Sequence, residues 1–502
     1  MAGSASGLAK RLRQAALLTA AALLGLALSE AAYRAALWVR ARLAQDAGAF
    51  EIFAVGGSTT LGQPFENKVS FPLIAAGLFE GRLQGRPIVV RNLAAYGEDS
   101  TYPQWVRLRR EAAFRRKSVP GAVLIYCGHN EGDLRPAPPS LRSRLWAAWE
   151  RRVVDPSYLL TDLLYLARKA RLCGRERTPD SLGSYLRRMA QVCRDAGLVP
   201  VFSTLASNIA DVEPNLAWHP RPEEGEPTVA AGRELERSGR WRQALGLYAA
   251  ARGRQPWLDP LLDYRSGRCL RALGRYDEAR EAFWKAVDSD SRIRFGRATR
   301  SQNAAVRQAA AESGAGLADA AAAFQADSPH GLVGRQLFLD FHHPNLRGQL
   351  LIARAFAVEL GRLLGAAPRT DRWRTEGDLR RAFAIDDQDM AQAWSETGKM
   401  LLQFACAGTP WPEDRLALAR RNFAEAVRLQ PGWWKGRLGL AIVAAAERTA
   451  LLRDEDAMAG LLSLYYGGPP SAAAARQALA PLRGAVPDAE LDALLDDAQA
   501  RP

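Results

Sequence analysis

The chain has 502 residues, of which 48% are hydrophobic and 24% charged. That is enough for one large or two ordinary domains with cores of their own, and it excludes a disordered tail protein, a collagen-like chain and a polytopic membrane protein. The formal charge of +14 permits contact with an anionic membrane or polymer, but no nucleic-acid motif accompanies it, so no nucleic-acid partner is expected. The five cysteines, Cys127, Cys173, Cys193, Cys269 and Cys406, are scattered and odd in number, which argues against a zinc module or a disulfide framework.

In chain order, Lys10, Arg11 and Arg13 precede an uninterrupted apolar stretch at 15–28; Glu30 and Arg34 break it before it resumes through Trp38. Fourteen residues is the length of a signal-peptide core, whereas the stretch extended to Trp38 spans a bilayer as a signal anchor. Residues 1–44 are read as a single N-terminal transmembrane anchor, with a cleaved signal and a buried helix as the alternatives. Either of the first two exports the remainder, and the leading basic residues place it on the extracytoplasmic, periplasmic side. No second long apolar run follows.

Short β-rich runs at 50–55, 87–90, 122–126 and 199–205 alternate with helical stretches at 71–83, 102–114 and 182–196. The alternation predicts an α/β fold, a parallel sheet covered by helices on both faces, with working residues just beyond the carboxyl ends of the strands. Four such ends carry chemistry. Gly56-Gly57-Ser58-Thr59-Thr60 turns tightly from strand into helix and exposes a hydroxyl beside free backbone N–H groups. The run from Asn92 to Gly97 ends on a glycine that lets a backbone N–H approach a ligand. Gly128-His129-Asn130-Glu131 sets an amide beyond another strand. Asp340-Phe341-His342-His343-Pro344-Asn345 precedes an amphipathic stretch at 346–364, with Pro344 expected in its first turn.

Acyl transfer needs a hydroxyl activated by a histidine, a carboxylate to orient that histidine, and fixed donors for the developing oxyanion. Ser58, His343 and Asp340 supply the first set. The Ser58 and Gly97 N–H groups and the Asn130 amide supply the second. His342 is read as structural or substrate-contacting, His129 as a wall of the pocket and Cys127 as buried packing.

These blocks resemble the SGNH hydrolases, the GDSL-type esterases and lipases, whose motifs contribute serine, glycine, asparagine and histidine in that order. Asp340 and His343 keep the family's D-x-x-H spacing, which selects His343 over His342. Gly57 and Thr59 stand where the first block usually has Asp and Leu, and Glu131 where the third has Asp. The resemblance covers about residues 50–210 and 293–365 and implies a flavodoxin-like three-layer α/β/α sandwich. It also implies hydrolysis of ester-linked acyl groups, often acetyl, with no metal or organic cofactor.

Leu235, Gly239, Trp241, Ala244, Tyr248 and Ala251 recur 35 residues later as Leu270, Gly274, Tyr276, Ala279, Phe283 and Ala286. Ala419, Phe423 and Ala426, followed by Pro431, repeat the second half of the pattern. The period and the small–aromatic–small spacing resemble tetratricopeptide repeats. The expected organisation is an anchor at 1–44 and the SGNH-like α/β domain in two parts, 45–214 and 293–366. The parts are separated by a tetratricopeptide-like insertion at 215–292 led in by a Pro/Glu-rich linker, and a helical C-terminal region follows at 367–502, divided by Pro469-Pro470. The repeats could take a protein partner or serve only as scaffold. The stretch 141–177, rich in arginine, leucine, Trp146, Trp149, Tyr158 and Tyr165, suits either a cap packed on the domain with a solvated basic face or a membrane-interface segment.

The expected function is therefore that of a membrane-anchored, exported serine hydrolase acting on an ester-bearing small molecule or, by its location, a cell-envelope polysaccharide. An O-acyltransferase using the same triad and a non-catalytic assembly protein using the repeats are the alternatives.

Overall fold

Six strands, β1 (Phe50–Gly56), β2 (Arg82–Leu83), β3 (Arg86–Asn92), β4 (Gly121–Tyr126), β5 (Val199–Ser203) and β6 (Gly316–Ala318), form one sheet in the order β2-β3-β1-β4-β5-β6. The computed structural model describes residues 2–65, 68–97, 101–131, 140–170, 172, 181–216, 225–290, 296–408, 411–449, 451–467 and 471–499. All strand pairs are parallel except the short β2–β3 hairpin. Counting only the parallel strands, the second lies beside the first and the third, fourth and fifth follow on the other side, which is the flavodoxin-like order.

The strand sequences explain why both faces are covered. In β1, Phe50 and Ile52 join one core while Phe53 and Val55 join the other; in β4, Ala122, Leu124 and Tyr126 alternate with Val123 and Ile125 in the same way. With a period of two, a strand apolar at nearly every position must bury both faces. Helices α3 (Phe71–Leu78) and α14 (Leu346–Leu364) cover one face through Phe71, Ile74, Ala353 and Phe356. Helices α4 (Thr101–Ala112), α7 (Ser181–Asp195) and α12 (Arg300–Ser313) cover the other through Trp105, Met189 and Val306.

Local expectations shift at three places. The helix expected over 71–83 stops at Leu78, because Glu80 and Gly81 take positive φ and turn the chain into β2. The strand expected to reach residue 205 ends at Ser203. Pro344 lies before α14 rather than in its first turn; Asn345 is the cap, its side chain accepting from the Gly348 N–H. The β2 and β6 strands, two and three residues long, carry too little pattern to be read from sequence.

The helical parts are built of antiparallel pairs. Helices α8 (Glu226–Arg237) and α9 (Trp241–Ala251) precede α10 (Asp259–Ala272) and α11 (Tyr276–Asp288), and α16 (Asp387–Gly408), α17 (Glu413–Leu429) and α18 (Trp434–Ala446) follow the sheet. Each pair closes on a glycine against an aromatic ring. A Cβ at Gly232 would come within 2.2 Å of Tyr248, and one at Gly267 within 2.7 Å of Phe283. Gly398 and Gly439 press on Phe423 from both sides, at 2.7 and 2.3 Å for the same added atom. Residues 217–224, most of the expected linker, lie outside the described residues, as do Cys173 and Pro469-Pro470.

The N-terminal helix α1 (Ala2–Ala44) is long and apolar enough over Arg13–Ala44 to cross a membrane by length and composition, with a mean hydropathy of 1.8 in its most apolar window and none of that window buried.

Candidate active site

Ser58 opens a four-residue helix, α2 (Ser58–Leu61), directly after β1. Only glycine fits at position 56, where a Cβ would lie 2.0 Å from Thr60 Oγ1 and 2.6 Å from the Tyr126 carbonyl oxygen. The tight turn that follows leaves Ser58 at the first helical position, so its N–H has no intrahelical partner. Asn92 Nδ2 donates to the Thr60 carbonyl at 2.7 Å, and Thr59 Oγ1 donates to the His342 carbonyl at 3.3 Å. The hydroxyl-bearing turn is thereby tied to β3 on one side and to the histidine loop on the other.

Ser58 Oγ lies 2.7 Å from His343 Nε2, and His343 Nδ1 lies 2.6 Å from Asp340 Oδ2. All three side chains are buried or nearly so. The other carboxylate oxygen, Asp340 Oδ1, accepts from the His342 and His343 N–H groups at 2.9 and 2.8 Å. One oxygen thus fixes the loop and the other faces the imidazole. The loop is held from outside by Asn208, whose N–H donates to the Phe341 carbonyl at 2.9 Å and whose Nδ2 donates to the Asp340 carbonyl at 3.1 Å. Asn422 Nδ2, from α17, donates to the Leu339 carbonyl at 2.8 Å. Phe341 packs into the C-terminal helical core with Leu401, Leu402 and Phe423.

Asn130 lines the same narrow cleft as Ser58, together with Gly57, Gln104, Tyr126, His129 and His342. Its Nδ2 stands 3.7 Å from where a Gly57 Cβ would be, and its Oδ1 is buried with no hydrogen-bond partner. Gly128, at φ +136°, turns the chain after β4; a Cβ there would meet Leu205 at 2.8 Å. His129 and His342 stack at 4.8 Å between ring centroids, and His129 Nε2 lies 2.9 Å from the Ala206 carbonyl oxygen. Burial pushes the Tyr126 hydroxyl well above its ordinary range, so it stands neutral and accepts from the Ala206 N–H at 3.1 Å.

Gly97 turns the chain after β3 at φ +65°. The structure joins Ser58, His343 and Asp340 by hydrogen bonds and sets Asn130 in the same cleft as Ser58.

Two further side chains tie these loops to neighbouring helices. Glu131 is buried and accepts from the Thr101 N–H at 2.6 Å and from the Thr101 hydroxyl, tying the asparagine loop to the start of α4. Gln349 in α14 accepts from the Phe71 N–H at 2.9 Å and reaches the Thr59 carbonyl at 3.5 Å. Glu131 was visible as an acid beside Asn130, but its partner was not. Cys127 is buried on the core side of β4.

A separate cavity of about 480 Å3 opens between α10, residues 329–336 and α17, lined by Arg268, Arg271, Arg335, Asp211 and Asp414. It contains neither Ser58 nor His343. Among the described residues no group of three His, Cys, Asp or Glu side chains is placed to hold a metal ion.

No protein-family model matches the chain. No curated protein matches it either. Among solved structures, the chain is similar to an acetyl xylan esterase from Geobacillus stearothermophilus at 15% identity and a TM-score of 0.31, over 62% of this chain and 96% of that one.

Proposed function

We propose that this protein is an SGNH-type serine hydrolase acting on ester-linked acyl groups, with Ser58 as nucleophile, His343 as general base and acid, and Asp340 as the group that orients His343. The observation that carries this reading is the continuous line from Ser58 Oγ through both nitrogens of His343 to Asp340 Oδ2, at 2.7 and 2.6 Å. A serine hydroxyl needs such a base, and the base needs such a carboxylate to hold one tautomer.

In the first half-reaction Ser58 Oγ attacks the acyl carbonyl carbon while its proton passes to His343 Nε2. The imidazolium then protonates the departing alkoxide, leaving an acyl-Ser58 ester. In the second half-reaction water attacks that ester, giving its proton to His343, and the carboxylic acid leaves as Ser58 is restored. The Ser58 N–H and Asn130 Nδ2 are the donors assigned to the oxyanion, with the Gly97 N–H as a third. His129 and His342 form a wall beside the reacting carbonyl.

In this reading α1 anchors the protein in a membrane with the remaining chain outside the cytoplasm, as the basic residues before the apolar stretch favour. The hydrolase unit is 45–214 with 293–366, the tetratricopeptide-like helices at 215–292 interrupt it, and 367–502 follows. The helical pairs are available for a protein partner, and an acylated envelope polysaccharide is the substrate class that the location suggests. Transfer to a sugar hydroxyl in place of water uses the same residues, and dependence of product on an added acceptor distinguishes the two outcomes.

The test is labelling by a fluorophosphonate probe and release of acetate from an aryl acetate, compared between the full chain and Ser58→Ala. Loss of both in the variant is expected. A folded wild-type protein in its membrane that neither labels nor turns over would sink the proposal.

A further inference from the structure

The most apolar exposed surface outside α1 is confined to one segment. Of the twelve exposed large apolar side chains described beyond residue 44, eight fall between residues 141 and 172. They lie on α5 (Leu141–Trp149), on the π-helical turn Glu150–Val154 that continues it, and on and just beyond α6 (Tyr158–Lys169). Leu141, Leu145 and Trp149 follow one another at i, i+4 and i+8, a single stripe along α5, with Trp146 against Trp149 at 4.9 Å between ring centroids. Leu163 and Leu166 continue the exposed apolar character on α6. A soluble protein seldom leaves such a run uncovered.

Charge on this segment is sorted in a way that fits one partner. Its three carboxylates are used internally: Glu150 pairs with Arg168, Asp155 with Arg188, and Asp162 accepts from Tyr33. Arg142, Arg144, Arg151, Arg152 and Lys169 are exposed, and none has an ion-pair partner among the described residues. The surface therefore offers apolar and aromatic groups beside unpaired cations and presents no free anion.

The segment is also joined to α1. Glu30 accepts from the Ser157 hydroxyl and from the Tyr158 and Leu159 N–H groups at 2.7–3.0 Å, capping the first turn of α6 from the neighbouring helix. Arg34 donates to the Pro156 carbonyl at 3.0 Å. Beyond this junction α1 is docked on the α/β body, with Leu37 buried and Arg40 paired to Glu111; before it, Leu17 to Leu28 stand exposed. The charge-free stretch 14–29 rises about 24 Å at 1.5 Å per residue, less than a hydrocarbon core of about 30 Å. A bilayer filled by this stretch therefore meets its surface close to Glu30, where α6 begins.

Resting on the reading of α1 as a membrane anchor, we infer that α5 and α6 form a second, interfacial membrane contact. Their Leu/Trp stripe enters the headgroup–acyl boundary of an anionic bilayer and their arginines meet lipid phosphates. The α/β body would then be braced on the membrane at two points instead of swinging on a single helix. Because Tyr102 in α4 donates to the Thr161 carbonyl of α6 at 3.4 Å, and Gln104 of the same helix lines the Ser58 cleft, the brace also sets the height of that cleft above the bilayer.

The test uses the full chain in vesicles containing phosphatidylglycerol. An environment-sensitive fluorescent amino acid replaces, one at a time, Leu28 on α1, Leu145, Leu163, and Val358, an exposed residue of α14 on another face. Emission at 28, 145 and 163 is expected to shift to the blue and lose about half its intensity in lipids brominated along the acyl chain, with none at 358. Quenching at 28 with 145 and 163 behaving like 358 would overturn the second contact and leave the anchor intact. No quenching at any position would remove the anchor, and this inference with it. Equal quenching at all four would mean non-specific adsorption and would equally overturn it.

Discussion

Ser58 and His343 meet at 2.7 Å, yet they are placed by different means. The serine stands on a turn assembled within a few residues: an apolar strand, a glycine too crowded for any side chain, and one helical turn. The histidine stands on a loop with little regular structure, whose backbone carbonyls are held by Asn208 from beyond β5 and by Asn422, 83 residues further on than Leu339. In the proposed reaction, the nucleophile's turn is built mainly from neighbouring residues, whereas the base's loop is held by Asn208 and Asn422, residues distant in the chain. A C-terminal helical region that could be taken for an appendage thus reaches the backbone of the site.

The largest expected effect tests the pairing itself. His343→Ala should lower turnover by about 10³-fold or more, and combining it with Ser58→Ala should add little, because residues acting as one unit are not additive. Asp340→Asn should follow at about 10²–10⁴-fold in kcat, since the amide would hold the wrong tautomer of His343. The loop itself should stay in place, because the Oδ1 of the amide can still accept from the His342 and His343 N–H groups.

The comparison is sharpened at Asn422. Asn422→Leu removes the donor to the Leu339 carbonyl and should cost about 1–3 kcal/mol of stability. It should also lower kcat with KM nearly unchanged, read from acetate release at several substrate concentrations. Unchanged kcat in a folded variant would mean that Asp340 and Asn208 position the base without the C-terminal helices. A smaller, purely structural effect is expected far from the site. Gly267→Ala pushes a methyl group into the Phe283 ring and should lower stability by about 1–3 kcal/mol in thermal unfolding while leaving kcat unchanged.

The smallest effect concerns pH. Glu213, buried under Arg415 at the junction of the β5 loop with α17, is pushed up to about 7, chiefly by burial, against the pull of the arginine. The folded chain then holds a proton that the unfolded chain releases near the ordinary carboxylate range. This contribution to stability is full below that range and declines as pH rises toward about 7. Glu213→Gln should flatten the slope of melting temperature against pH in that window.

Much of this protein was legible in its sequence. Alternating apolar runs and turn residues marked the four main strands, because a period of two and a glycine stop are local properties of the chain. The same logic singled out Ser58, Asn130, Asp340 and His343, each next to a strand end or a helix start, and the spacing of Asp340 to His343 chose between adjacent histidines. The repeated aromatics marked the helical pairs, and the glycines they press against, Gly232 and Gly267, stand at the same 35-residue offset. Tertiary structure alone decided the rest. Hydrogen bonds such as Asn422 to Leu339 and Thr101 to Glu131, and the capping of α6 by Glu30, join residues far apart in the chain. No local pattern encodes them, because they exist only once separate elements have packed and their buried polar groups have had to find partners.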